Sequence, residues 1–245
     1  MNLYVLFVLS FLPTIFVFVL FAAFVPKFHI PTGLIACVLG ILAVFPASFI
    51  QYAVFKIPFF NRSTFFALFF SALLVNGLVE ESVKGLFLYL VPRKRLSFLT
   101  FFCCAALFGL SAGSFESVIY VVRKISGENL PGLIASVGVN AIFRMVLARI
   151  FSAQLIHAFC TGLLGFAVFT FVNKPFCVVP FIYAVVVHGL FNFFVSFSSA
   201  YNFLAIVAIL FAAVECRIWY KSIQKDEKQD DFSKDFEKNQ LTKQE

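Results

Sequence analysis

Long apolar runs follow one another along most of the chain, separated by short breaks that carry Pro, Lys, Arg or Asn. A run that stays apolar for about 20 residues matches the thickness of a bilayer core at the rise of an α-helix, whereas the strands of a membrane barrel would alternate over short segments. Seven spans are predicted on this basis: 4–25, with Pro13 inside it, 33–55, with Pro46 inside it, 64–91, 97–122, 150–172, 176–199 and 201–220. The stretch 131–149, PGLIASVGVNAIFRMVLAR, breaks the pattern, because Asn140, Arg144 and Arg149 recur at helical spacing and make it amphipathic. It is expected to be interfacial, re-entrant or an eighth span. The first run opens at Leu3 with no basic segment before it and no clear cleavage site, and is read as a retained helix rather than a secretory signal.

The expected fold is therefore all-α, a polytopic transmembrane helical bundle over residues 1–220. The polar tail 221–245 holds six lysines and seven acidic residues, too little apolar surface to fold, and is expected to be a disordered cytoplasmic segment. Composition agrees: 62% of the residues are hydrophobic and 13% charged, and the mean hydropathy is +0.98, which leaves no room for a large soluble domain. Six cysteines, Cys37, Cys103, Cys104, Cys160, Cys177 and Cys216, all fall within apolar runs, where free thiols pack as small hydrophobes; no disulfide framework or zinc knuckle is implied.

Charge refines the picture. The net charge of +7 is spread over helix ends rather than gathered in one patch, which argues against a nucleic-acid partner. With seven spans and the C-terminus inside, Lys27, Arg93, Lys94, Arg95, Lys174, Arg217 and Lys221 lie on the cytoplasmic side, and Lys56, Arg62, Arg123 and Lys124 outside. An N-out, C-in orientation is expected.

Against this background a few residues stand out, because a charged group near the middle of a span costs roughly 2.5–3.5 kcal/mol on insertion scales. They are Glu80, Glu81 and Lys84 in the third span, Glu116 in the fourth, His157 in the fifth, and His188 with Asn192 in the sixth. Helical spacing sorts them: Asn76, Glu80 and Lys84 form one stripe, while Glu81 lies about 100° round the helix between Gly77 and Gly85. The two glutamates are thus expected to do different jobs. Glu116 follows Gly109 and Gly113 on its own face, and small residues let a neighbouring helix approach closely. His188 and Asn192, four apart, are expected to point together into the bundle. Blander readings hold for the others: Lys84 as a neutralising partner, Asn76 as interhelical glue, His29 as incidental, and Arg144 and Arg149 as interfacial anchors.

A carboxylate beside a histidine in a partly hydrated cavity can activate water, and histidine and asparagine donors can steady an oxyanion, which suits amide hydrolysis. There is no GxSxG, and no aspartate before residue 226, which excludes an intramembrane aspartyl protease. Glu80, Glu116, His157 and His188 are also ligand types that zinc accepts, although no HExxH is present. Whether water is held by side chains or by a metal stays open at this level. A proton-coupled carrier also buries such groups, but carriers usually show internal repeats, and none is evident.

The order EExxK (Glu80, Glu81, Lys84), a glycine-preceded Glu116, mid-helix His157 and HGxxN (His188, Gly189, Asn192) resembles the PrsW family of intramembrane proteases, itself distantly similar to the CAAX prenyl protease and bacteriocin-processing group. The resemblance covers roughly 70–195. It implies that Glu80 is the water-activating base and that Glu81 supports it. His188 and Asn192 would hold the water or the oxyanion, and His157 and Glu116 would complete the site. It also implies a multi-pass protein of the bacterial cytoplasmic membrane that cuts membrane-anchored regulators such as anti-sigma factors. Two departures are visible: Lys84 stands one place before the arginine of the wider group, and Glu116 stands where that group has histidine. The extra carboxylate favours a metal.

Overall fold

In the computed structural model, residues 3–92, 96–127, 139–173, 177–197 and 199–241 are described. Among the described residues, seven helices are long and apolar enough to cross a membrane: α1 Leu3–Phe24, α2 Ile30–Val54, α3 Phe65–Leu88, α4 Phe98–Lys124, α5 Asn140–Phe171, α6 Val179–Phe197 and α7 Asn202–Gln224. No strand occurs among the described residues. A helix closes its hydrogen bonds within its own segment, which an apolar solvent demands of any spanning backbone.

Depth of burial separates the helices. In the most apolar window of α4 and of α5, 78% of the residues are buried inside the protein, against 17% in α1 and 28% in α7. The central pair is packed by phenylalanines: Phe98, Phe101, Phe108 and Phe166 are fully buried, with the rings of Phe98 and Phe166 5.0 Å apart. The outer helices turn Phe16, Phe24, Phe49 and Phe211 outward, as expected of side chains whose solvent is hydrocarbon. Hydrogen bonds across helix contacts fix the register. Thr14 and Ser114 share one of 2.9 Å between α1 and α4, and Ser111 donates to the Cys37 carbonyl of α2 at 2.8 Å. All six thiols are free.

Two expectations change. The fifth span starts at Asn140 rather than 150, so Arg144 and Arg149 belong to its opening turns and the amphipathic stretch is no separate eighth span where it is described; residues 131–138 lie outside the described residues. His29 is not incidental: its Nδ1 accepts from the Thr32 amide at 3.3 Å and caps α2. The last helix is described from Asn202 to Leu241. Residues 242–245 lie outside the described residues.

Two stretches widen to π-helical geometry, Ser71–Leu78 in α3 and Ile150–Gln154 in α5. Such wide turns loosen the regular ladder, and the first is met from α2 by Gln51, whose Nε2 donates to the Val75 carbonyl at 3.3 Å. Each ends within three residues of a charged or imidazole group, Glu80 in α3 and His157 in α5.

Candidate active site

Small residues bring the helices together where the polar groups lie. A Cβ on Gly77 would meet the Val185 carbonyl of α6 at 2.5 Å, and one on Gly113 would meet the His157 ring at 2.9 Å. Glycines at these points let α3 touch α6 and α4 touch α5, and the flanking ionisable groups converge.

Glu81 is fully enclosed. Its Oε1 accepts from Lys84 Nζ at 2.8 Å and from His188 Nδ1 at 2.7 Å. Lys84 also donates to His157 Nδ1 at 2.7 Å and lies 3.5 Å from Glu80 Oε2, so it joins both carboxylates to an imidazole rather than neutralising one. His157 Nε2 is 2.9 Å from Glu116 Oε2. The two imidazole rings sit 4.8 Å apart, nearly perpendicular. Glu80 takes a hydrogen bond of 2.7 Å from Gln51 on Oε1, while its Oε2 lies 3.7 Å from His188 Nε2 and has no hydrogen-bond partner among the described residues.

Two cavities reach this cluster. One of about 410 Å³ is walled by α3 to α7 and lined by Glu80, Glu116, His157, His188 and Asn192 among apolar neighbours. The other, about 180 Å³, opens between α2 and α4 at Ser48, Gln51 and Arg123. Glu80, Glu116, Tyr120 and Arg149 line both. Side-chain exposure follows: 22% for Glu116, 10% for Glu80 and none for Glu81.

The residues named from sequence thus meet. Glu80, Glu81, Glu116, His157 and His188 form one bonded cluster, and Asn192 lines the same cavity as four of them. Three participants were not expected: Gln51, Tyr120 and Arg149. Gln51 had a signal, an amide inside an otherwise apolar run. Arg149, expected to be an interfacial anchor, instead turns into the bundle, where α4 offers it a hydroxyl and an aromatic face: its Nε donates to Ser117 Oγ at 3.1 Å and its guanidinium lies 4.6 Å from the Tyr120 ring centre.

The donor set bears on a metal. One donor atom from each of Glu80, His157 and His188 lies within 4.8 Å of the other two, all three residues being buried. Two imidazoles and a carboxylate are a zinc-type set, and the Glu81 contact to His188 Nδ1 is the kind of carboxylate–histidine bond that orients a metal ligand. Glu80 Oε2, which makes no hydrogen bond among the described residues, is a ready donor. Since the Lys84 ammonium can only donate, His157 Nδ1 accepts and its Nε2–H points to Glu116; for Nε2 to take a cation as a neutral imidazole the ring proton would move to Nδ1 and Lys84 would turn to the carboxylates. These residues fit a single divalent cation. Glu116 is not in the close group and joins it through His157.

A family model described as PrsW family intramembrane metalloprotease matches residues 29–215. No curated protein and no solved structure matches the chain.

Proposed function

The chain belongs to the PrsW family of intramembrane metalloproteases, and from the geometry of its site we propose that it hydrolyses peptide bonds of membrane-anchored proteins with Glu80, His157 and His188 as holders of a divalent cation, zinc by donor type. It is an integral multi-pass membrane protease, so its substrate is a membrane protein and its solvent the bilayer. We further propose the bacterial cytoplasmic membrane, an N-out, C-in orientation, and regulators of the anti-sigma-factor kind as substrates.

The observation that carries the reading is the mutual approach of three donors from three helices, with a carboxylate beside them. Zinc held there would act as a Lewis acid and lower the pKa of a bound water. The rest falls to the chain. Glu116, the most exposed of the three carboxylates, accepts the water proton at Oε2 and passes it to the leaving amine. Glu81 fixes the His188 ring through Nδ1, and Lys84 holds Glu80 and Glu81 in place. Asn192 donates to the substrate carbonyl in the larger cavity, whose apolar walls limit the water that enters.

A second reading keeps Glu80 as the base with no metal. Lys84 favours it, because its ammonium already supplies a cation between Glu80, Glu81 and His157. Chelation of the purified protease in nanodiscs separates the two: cleavage that stops and returns with added zinc supports the first, and cleavage indifferent to chelator sinks it.

A further inference from the structure

Arg149 is the observation that the scheme above does not use. An arginine in a span is expensive and persists where something anionic meets it. Yet among the described residues no carboxylate lies within 4.0 Å of Arg149, although Glu80 and Glu116 line the same two cavities. The side chain is nonetheless held. Nε is committed to Ser117 Oγ, which itself donates to the Gly113 carbonyl at 2.6 Å and receives Gln154 Nε2 at 3.4 Å. The guanidinium rests on the Tyr120 ring. Ser117 and Tyr120 follow Glu116 by one and four residues on α4, so the group that holds Arg149 is continuous with the proposed base. With Nε bonded, the terminal nitrogens are the donors left for a ligand, and they belong to a residue that lines both cavities.

We propose that Arg149 is a catalytic residue whose terminal NH₂ groups donate to the carbonyl oxygen of the scissile bond and stabilise the negative charge that develops there. The proposal rests on the hydrolytic reading of the site. Water oxygen bonds to the carbonyl carbon as its proton passes to Glu116; the C=O π pair moves onto oxygen, beside Arg149. The pair then returns, the C–N bond breaks, and the proton moves from Glu116 to the amine. An arginine offers two parallel donors to an oxyanion and does not give up its proton, so it adds charge stabilisation without competing for the proton in transit. Positioned beforehand by Ser117 and Tyr120, it needs no reorganisation as charge builds.

The test uses the full chain in nanodiscs and a pair of apolar peptides that differ only at one linkage, a phosphonamidate as oxyanion mimic and the neutral amide. Wild type should bind the phosphonamidate about a hundredfold more tightly than the amide, and Arg149→Met should lose most of that preference while amide binding weakens far less and the variant still unfolds cooperatively. Arg149→Lys should keep part of it, and Ser117→Ala should weaken it less than Arg149→Met does. A preference that survives in Arg149→Met, or none in wild type, overturns the proposal. Cleavage of a membrane-peptide library by wild type but not by Glu80→Gln tests the hydrolytic reading separately. Cleavage without the phosphonamidate preference removes Arg149 alone, and the preference without cleavage removes the hydrolase.

Discussion

Glu80 and Glu81 are neighbours in the chain and opposites in their surroundings. Glu81 is sealed and bonded to two cationic or imidazole partners; Glu80 borders two cavities and shares His188 from the other side of the ring. A buried charge with fixed partners holds geometry, and removing one partner strands the others. A carboxylate reached by a cavity can meet substrate or cation. The difference teaches that the double glutamate is a division between support and chemistry, set by the 100° turn between adjacent helical residues.

That division can be broken by isosteric change. Glu80→Gln should lower cleavage by about 10²–10⁴-fold while costing less thermal stability in detergent than Glu81→Gln, since its Oε2 makes no hydrogen bond and only the longer 3.5 Å ion pair with Lys84. Wild-type turnover in this variant would remove Glu80 from the chemistry. Glu81→Gln should show the reverse balance, a loss of about 3–5 kcal/mol in stability because the buried Lys84 and His188 lose the negative charge they share. A stable but inactive Glu81→Gln would place it in the chemistry instead.

Smaller effects sharpen the contrast. Gly113→Val would push methyl groups towards the His157 ring; overpacking of this kind costs about 1–3 kcal/mol, and activity should fall with little change in expression. Gln51→Ala should cost only about 1–2 kcal/mol, read as a small drop in melting temperature with a few-fold loss of turnover, because the hydrogen bond to Glu80 and the longer one to the Val75 carbonyl disappear. An effect as large as that of Glu80→Gln would make Gln51 part of the reacting set.

The seven spans were legible because hydropathy reports directly on the solvent, and helical spacing correctly grouped Glu80 with Lys84 and His188 with Asn192. The glycine faces before Glu116 and around Glu81 were legible for the same reason, and they mark where helices touch. Partners across helices were not. Nothing in the local pattern ties Lys84 to His157, or turns Arg149 towards Ser117, since rotation about each helix axis is decided by tertiary packing. The start of the fifth span was misread because Arg149, which turns into the bundle, cannot be told in one dimension from the exposed Asn140 and Arg144.

The widened turns of α3 and α5 carry a consequence for how the chain tolerates change in length. A wide turn absorbs an extra residue, so the helix before it and the helix after it differ in phase by about 100° from an unbroken helix. Deleting one residue from Ser71–Leu78 would preserve span length, hydropathy and every motif, yet rotate the double glutamate relative to Phe65 and Phe66 on the lipid-facing half. Register, rather than content, is what such a deletion would destroy.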